Sequence, residues 1–400
     1  MKKFQVIIVG AGPTGAVAAY ALAEKKIDVL LIETYAEPPE DMRASTFHAP
    51  TLEMLESLGL RAALEAQGVR APVYQYRNRK SGEVLAFDLS EVGDVLRYPY
   101  RLQCEQYKLS RLVVGLLSDH PHAQVMMGSK VLSAEQDSGG VTVTTETASG
   151  IVRYQADYLI AADGASSTIR KSLGTPFDGF TYPEKFLTLS TAYPIDTHFQ
   201  NLAGVAYMAD AAEWCVLLRV PTLWRILVPA TADDPDEYLR SDAKKDIVFR
   251  GLLGDAAPEI TTYHRTIYRV HQRVAQSFRT GRILLVGDAA HLNNPLGGLG
   301  MNSGIHDVMN LTEKLGRILL ERADPDALLD HYDRQRRTVM HDFVQKQTMR
   351  NKQTMEAGSA ESQRLAQQQM TAVLADDHLR RAYLLQQSMY NSLQQEAAII

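Results

Sequence analysis

Cysteine is scarce: Cys104 and Cys215 are the only two in 400 residues. They share no CxxC spacing and no partner cluster, so neither a disulfide framework nor a metal site is expected. A reducing, cytoplasmic setting fits that usage. Dense Lys/Arg runs are also missing, and the formal net charge is −5. The electrostatic footprint of a nucleic-acid or anionic-membrane binder is therefore absent, which leaves small-molecule chemistry. No stretch supplies the roughly 18 apolar residues of a spanning helix. The uncharged run Val6 to Ala23, after Met-Lys-Lys, imitates a signal peptide. It is broken by Gly10, Gly12, Pro13 and Gly15, and Glu24-Lys25-Lys26 stands where a small-residue cleavage site belongs, so it reads as part of the fold. What is present, 45% hydrophobic and 22% charged residues, is ordinary globular material for two domains.

Phe4 to Val9 is a continuous apolar run, followed by glycines, an Ala-rich helical stretch to about Glu24 and a second apolar run to Ile32. That is a strand–turn–helix–strand unit of a parallel sheet covered on both faces. Two short helices are expected over 50–67, a hairpin turned at Ser81-Gly82 over 72–88, and an amphipathic helix over 105–118. Valine-rich alternation over 124–160 predicts an antiparallel meander ending in the buried strand YLIAAD. From about 176 to 278 alternating strands dominate, WCVLLRV and WRILVP forming the clearest hairpin. The chain then returns at RILLVGD and ends in long helices near 302–321, 326–356 and 360–396. The fold class expected is α/β, α+β overall.

Gly10-Ala11-Gly12-Pro13-Thr14-Gly15 is a GxGxxG loop between a strand and a helix, and Glu33 ends the next strand. Gly10 serves the tight turn, Gly12 the approach of backbone to a pyrophosphate, Gly15 close helix–strand packing, and Glu33 the ribose hydroxyls. An acid there favours an adenine nucleotide without a 2′-phosphate, either FAD or NAD. The first loop does not choose between them.

Two later stretches do. YLIAADGASSTIR, with Asp163-Gly164, Ser167 and Arg170, and RILLVGDAAHLNNPLGGLGMNSGIHDVMNL resemble the DG and GD motifs of the FAD-dependent aromatic hydroxylases, the para-hydroxybenzoate hydroxylase-like single-component monooxygenases. With the opening loop, three motifs stand in that family's order across nearly the whole chain. The resemblance implies that Asp288 holds the ribityl hydroxyls of FAD, that Pro295, Gly298 and Gly300 belong to the loop along the flavin edge, and that a helix beginning near Met301-Asn302 points its amides at the flavin. It also implies Gln106 as a cofactor contact and Arg43 as an arginine near the FAD phosphates and the entering nicotinamide nucleotide. His291 is read as packing beside the loop. The family usually has two prolines here and a tryptophan near the following helix. Asn294 and Glu313 stand at those places, departures that bear on the shape of the pocket above the flavin.

The resemblance implies a Rossmann-like FAD-binding domain over 1–175 and 279–356, an inserted β-sheet substrate domain over 176–278 and a C-terminal helical segment over 357–400. It implies that NAD(P)H binds transiently, since no second GxGxxG follows a strand, and that reduced FAD and O₂ give a flavin C4a-hydroperoxide that hydroxylates a phenol or aromatic acid. A halogenase would need a WxWxIP signature, and Trp214 and Trp224 are the only tryptophans. A flavoprotein reductase that does not use oxygen and a non-catalytic flavin-binding protein are the alternatives. Substrate-side candidates are Tyr207, Arg219 and Arg225, with His48 and Pro295 as candidate catalytic groups. Arg219 shares a strand face with Cys215 and Leu217 by period-2 alternation. The oligomeric state stays open, a homodimer included.

Overall fold

The computed structural model describes residues 3–40, 42, 44–210, 214–255, 257–356 and 359–400. The first sheet grows from the apolar run at its centre. Strand Lys3–Val9 pairs in parallel with Val29–Ile32 on one side and Gly150–Ala161 on the other. Ala123–Met126 and Ile283–Leu285 extend it in parallel. Val6, Ile7 and Ile8 are fully buried, as strands covered on both faces must be. The helices Pro13–Ala23, Gln106–Ser118 and Gly300–Glu321 supply cover, the first packing against both of the others. Lys130–Asp137, Gly140–Thr147 and Gly150–Ala161 form the expected meander.

The second sheet is antiparallel except at one pairing. Its order runs His291–Leu292, His264–Ala275, Phe177–Thr191, Trp224–Ala230, Cys215–Arg219, Val205–Ala209, Val73–Asn78 and Val84–Asp88. Here the structure departs from the boundaries read in the sequence. The hairpin Val73–Asp88 falls in the first segment of the chain, yet it completes the second sheet by parallel pairing of Ala206–Ala209 with Gln75–Asn78. Alternation identifies a hairpin but not the sheet edge it joins. That choice is made by Tyr74, Tyr76 and Phe87, which find aromatic cover on Tyr207 and Tyr383.

The two faces of this sheet have different partners. Ala206, Met208, Cys215, Leu217, Trp224 and Ile226 pack with Val248, Phe249 and Leu252 of the helix Asp242–Leu253. Val205, Tyr207, Val216 and Leu227 belong to a separate cluster on the other face.

The C-terminal stretch expected as one helix over 360–396 is three: Ala360–Ala375, Asp377–Gln387 and Tyr390–Ala398. The Asp376 carboxylate accepts from the amides of His378 and Leu379 at 2.9 and 3.0 Å and so starts the second helix, and Met389 turns the chain with φ +69°. Helical periodicity continues across both breaks, which hides them. These helices lean on the hairpin through Tyr383–Tyr76 (3.1 Å) and Gln367–Asn78 (2.8 Å). No helix among the described residues is long and apolar enough to cross a membrane.

The face assignment is testable in urea. Leu217→Ala, deleting a fully buried side chain under the Asp242–Leu253 helix, should lower the unfolding free energy by about 2–5 kcal/mol. A loss below about 1 kcal/mol would place Leu217 outside a packed core.

Candidate active site

A cavity of about 580 Å³ opens where the two sheets face one another. One end is built from the ends of parallel strands, where ligands of open α/β sheets bind. The turn Gly10–Thr14, Glu33, Gln106, Asp163-Gly164 and Asp288 all line it there. Gly10 adopts φ +99°, and a Cβ on it would run into the carbonyl of Ala162. A Cβ on Gly12 would meet no protein atom within 4 Å, so the backbone stands open to the cavity there. Glu33 accepts from the amides of Ala11 (2.7 Å) and Tyr35 (3.0 Å), which ties the glycine turn to the second strand. Gly15 does not line the cavity. A side chain on it would strike the Gly10 carbonyl, so it lies in the tight contact of turn and helix.

Asp163 spends both carboxylate oxygens within its own turn. Oδ1 accepts from Ser167 Oγ at 2.5 Å and Oδ2 from the amide of Ile169 at 3.2 Å, stopping the strand and starting the helix Thr168–Ser172. Arg170 then fastens this turn to the second motif, donating to the carbonyls of Ala289 and Ala165, each at 2.8 Å. Its guanidinium lies 3.8 Å from the Phe177 ring centroid.

The loop Pro295–Met301 lines the cavity and is held from several sides. Asn302 does not line it. Its side chain donates to the carbonyls of Thr46 (2.8 Å) and Gly298 (2.7 Å) and accepts from the amide of His48 (2.9 Å). His48 lies behind the loop too, with Nε2 donating to Gly297 O at 2.8 Å. Burial first, and the positive charge of Arg101 second, push its pKa down to about 3. It is a neutral clamp held away from the reacting space, and the expectation of a catalytic His48 is corrected accordingly. Pro295 lines the cavity but carries no titratable group; its carbonyl accepts from Gly298 N. Asn294 closes a local turn by accepting from Leu296 N, while its own amide donates to Gln272. Glu313 is exposed beside Arg317, so its departure from the family pattern falls outside the cavity lining.

Beneath the second motif lies a carboxylate that the sequence reading passed over. Asp307 is fully buried and accepts from Gly287 N (3.0 Å), His291 Nε2 (2.6 Å) and Arg336 Nε (2.7 Å). Burial alone would raise its pKa, but His291 and Arg336 hold it down at about 2. Arg336 also pairs with Glu396 of the last helix. Asp307 stands inside the recognised motif, but its partner Arg336 is 29 residues away and carries no local signal.

At the other end the cavity is lined by Tyr207, Val216, Leu218, Arg225 and Leu227 of the second sheet and by Arg101. Arg225 is buried and donates to Ser45 Oγ at 2.8 Å. Arg219 is absent from the lining. Its alternation with Cys215 and Leu217 is as read, but that face points away from the cavity, and its guanidinium lies 5.7 Å from the Trp224 ring centroid. This corrects the expectation that Arg219 meets substrate. Arg43 lies outside the described residues. Arg101 went unnoticed in the sequence because nothing about its short strand Arg101–Gln103 marks a site.

This architecture, a parallel-sheet nucleotide cradle facing a second, largely antiparallel sheet across one cavity, is that of a flavoprotein. Residues 3–347 match the family model described as FAD binding domain, and the chain belongs to that family. Over 344 residues it is 32% identical to para-nitrophenol 4-monooxygenase of Pseudomonas sp. (strain WBC-3), covering 85% of this chain and 84% of the relative. It is likewise 32% identical to 6-hydroxy-3-succinoylpyridine 3-monooxygenase HspB of Pseudomonas putida (strain DSM 28022 / S16), covering 86% of each. The crystal structure of p-nitrophenol 4-monooxygenase PnpA from Pseudomonas putida DLL-E4 superposes with a TM-score of 0.92 at 28% identity, covering 98% of this chain and 99% of that one. The protein is an FAD-dependent aromatic monooxygenase with NAD(P)H as co-substrate. The cavity fits the cofactor: an open backbone cradle at Gly12 and two lining carboxylates, Glu33 and Asp288, match a dinucleotide rich in hydroxyls.

Two expectations follow for the buried polar layer. Asp307→Asn leaves three donors facing a neutral side chain, and should cost about 3–5 kcal/mol in chemical unfolding while weakening FAD retention; unchanged stability and FAD content would show that the carboxylate holds nothing. His48 and His306 both have pKa values lowered to about 3, each chiefly by burial. Below the ordinary value of 6.5 the unfolded chain then binds the extra protons, so stability falls as pH drops from about 6.5 toward 3, by up to about 1.4 kcal/mol per pH unit for each ring. His306→Asn should flatten that slope, and an unaltered slope would contradict the assignment.

Proposed function

We propose that this chain hydroxylates a phenol or aromatic acid inside the cavity between its two sheets, in a reducing cytoplasmic setting. The observation that carries this reading is one cavity joining a nucleotide cradle to a wall of tyrosine, aliphatic and arginine side chains. FAD, when bound, would supply the redox chemistry between NAD(P)H and O₂.

The chain's own residues bind, orient and exclude water. Gly12, Thr14 and the amides opening the helix Pro13–Ala23 would take the pyrophosphate, Glu33 the ribose and Asp288 the ribityl hydroxyls. Gly298, Gly300 and Met301 would follow the flavin edge, with Gln106 beside the cofactor. Val216, Leu218, Leu227 and Leu296 give the ring end an apolar wall that keeps water from the oxygen-transfer step. The para-nitrophenol relative supports a phenol as the ring. Cys104 and Cys215, both buried thiols, agree with a reducing compartment.

The purified protein should be yellow with one non-covalent FAD per chain. Gly12→Val should stay folded by circular dichroism but lose most of the flavin, because its side chain enters the cradle. Oxygen uptake with NADH or NADPH, scored for hydroxylated product and peroxide against a phenol and aromatic-acid panel, tests the activity. NAD(P)H consumption with no oxygen uptake would instead identify a reductase.

A further inference from the structure

The loop Pro295–Met301 lines the cavity, and Gly297 and Gly298 in it both take positive φ, +103° and +69°. Glycine backbone has no side chain with which to hold itself in place. Three consecutive carbonyls are held from outside instead. Leu296 O accepts from Asn351 Nδ2 at 3.1 Å, Gly297 O from His48 Nε2 at 2.8 Å and Gly298 O from Asn302 Nδ2 at 2.7 Å. The first of these bonds ends a series. Asn351 Oδ1 accepts from Gln347 Nε2 (2.8 Å) on its own helix Lys346–Met355 and from Gln387 Nε2 (3.1 Å) on the helix Asp377–Gln387. Gln347 Oε1 accepts from Gln386 Nε2 at 3.0 Å, and Gln386 Oε1 from Asn391 Nδ2 of the helix Tyr390–Ala398 at 2.9 Å. Asn391, Gln386, Gln347 and Asn351 therefore donate head to tail, in one sense, from the last helix to the loop.

The sense of the series is dictated by its end. A backbone carbonyl only accepts, so Asn351 must turn Nδ2 to Leu296, which leaves Oδ1 for Gln347 and Gln387. Gln347, Asn351 and Gln387 are all buried. At such sites an amide that loses its partner costs more than the bond contributes, so a break at one link is felt at the next. An apolar seam would fasten the C-terminal helices without that cost. Carboxamides add direction, and here the direction leads to one carbonyl beside the cavity. We propose that Asn351 is a positioning residue for the loop Pro295–Met301, and that the helices Asp377–Gln387 and Tyr390–Ala398 set the conformation of the loop through it. The proposal rests on reading the cavity as the flavin site. The packing agrees: a Cβ on Gly297 would come within 2.6 Å of Asn351 Nδ2, so the same amide that bonds Leu296 also bears on the next residue.

The test is amide hydrogen–deuterium exchange over 293–301, followed in the flavin-free and the FAD-loaded protein. Asn351→Asp keeps the side chain's size and the two bonds that Oδ1 accepts, but at neutral pH its carboxylate has no hydrogen for Leu296 O. Exchange over 293–301 should rise roughly 3- to 10-fold, the range of one neutral hydrogen bond, while the strand Lys3–Val9 exchanges as in wild type. Gln387→Leu, which removes a donor from the partner helix alone, should move the same segment in the same direction by less. The visible circular dichroism of bound FAD, which reads protein contacts on the flavin, should change in both variants. Gln353→Met, on the exposed side of the Asn351 helix, should leave both readouts at wild type. The proposal is overturned if exchange over 293–301 is unaltered in Asn351→Asp, or if it rises equally in Lys3–Val9, the mark of a general loss of stability. A visible band unchanged despite faster exchange overturns it as well. If Asn351→Asp fails to fold, Gln387→Leu decides by the same criteria. Exchange in the flavin-free protein does not depend on FAD, so failure of the flavin reading would appear separately, as a chain that takes up no FAD.

Discussion

One buried carboxylate holds the flavin side of this molecule together. Asp307 reaches Gly287 N, the residue before Asp288, and simultaneously receives His291 and Arg336. An ionised group at zero exposure is tolerable only when its lone pairs are taken up, and three donors at 2.6–3.0 Å do so. The position of Asp288 at the cavity follows from this anchor. Through Arg336 the same anchor extends to Glu396, so the last helix is fastened to the layer that carries the second glycine loop.

The loop itself is rigid for the same kind of reason. His48, Asn302, Gln272 and Asn351 each satisfy a backbone group in or beside 293–298, and all four are buried. Backbone that approaches a cofactor closely cannot also pair in a sheet, so its polar groups have to be met by side chains. That need accounts for buried amides and a neutral imidazole where an apolar core would otherwise be simpler.

Charge is separated along the cavity. Carboxylates gather at the end suited to sugar hydroxyls, and arginines gather at the end suited to a ring. The second sheet makes the separation possible by presenting its Tyr207–Val216–Arg225 face to the cavity and burying its Leu217 face under a helix. A one-residue slip in any of those strands would exchange the two faces. This is also why the hairpin Val73–Asp88 belongs to the second sheet: its tyrosines close the wall behind Arg101 and Tyr207.

The nucleotide half was legible in the sequence because its signals are local. A strand, GxGxxG and an acid about twenty residues on describe one continuous unit, and DG and GD repeat that local logic after two further buried strands. The strand alternation of Cys215–Arg219 was legible as well, with the faces sorted as the structure has them. Alternation carries no information about which face meets a cavity, and so Arg219 was placed on the wrong side. Arg101 meets Tyr207 from 106 residues away and Asp307 meets Arg336 from 29, distances over which periodicity and spacing are silent. The sequence by itself determined the cofactor cradle, because backbone geometry at glycines and strand ends is set by near neighbours. The tertiary structure alone decided the substrate end, because a buried cation or carboxylate is defined by what the rest of the chain brings to it.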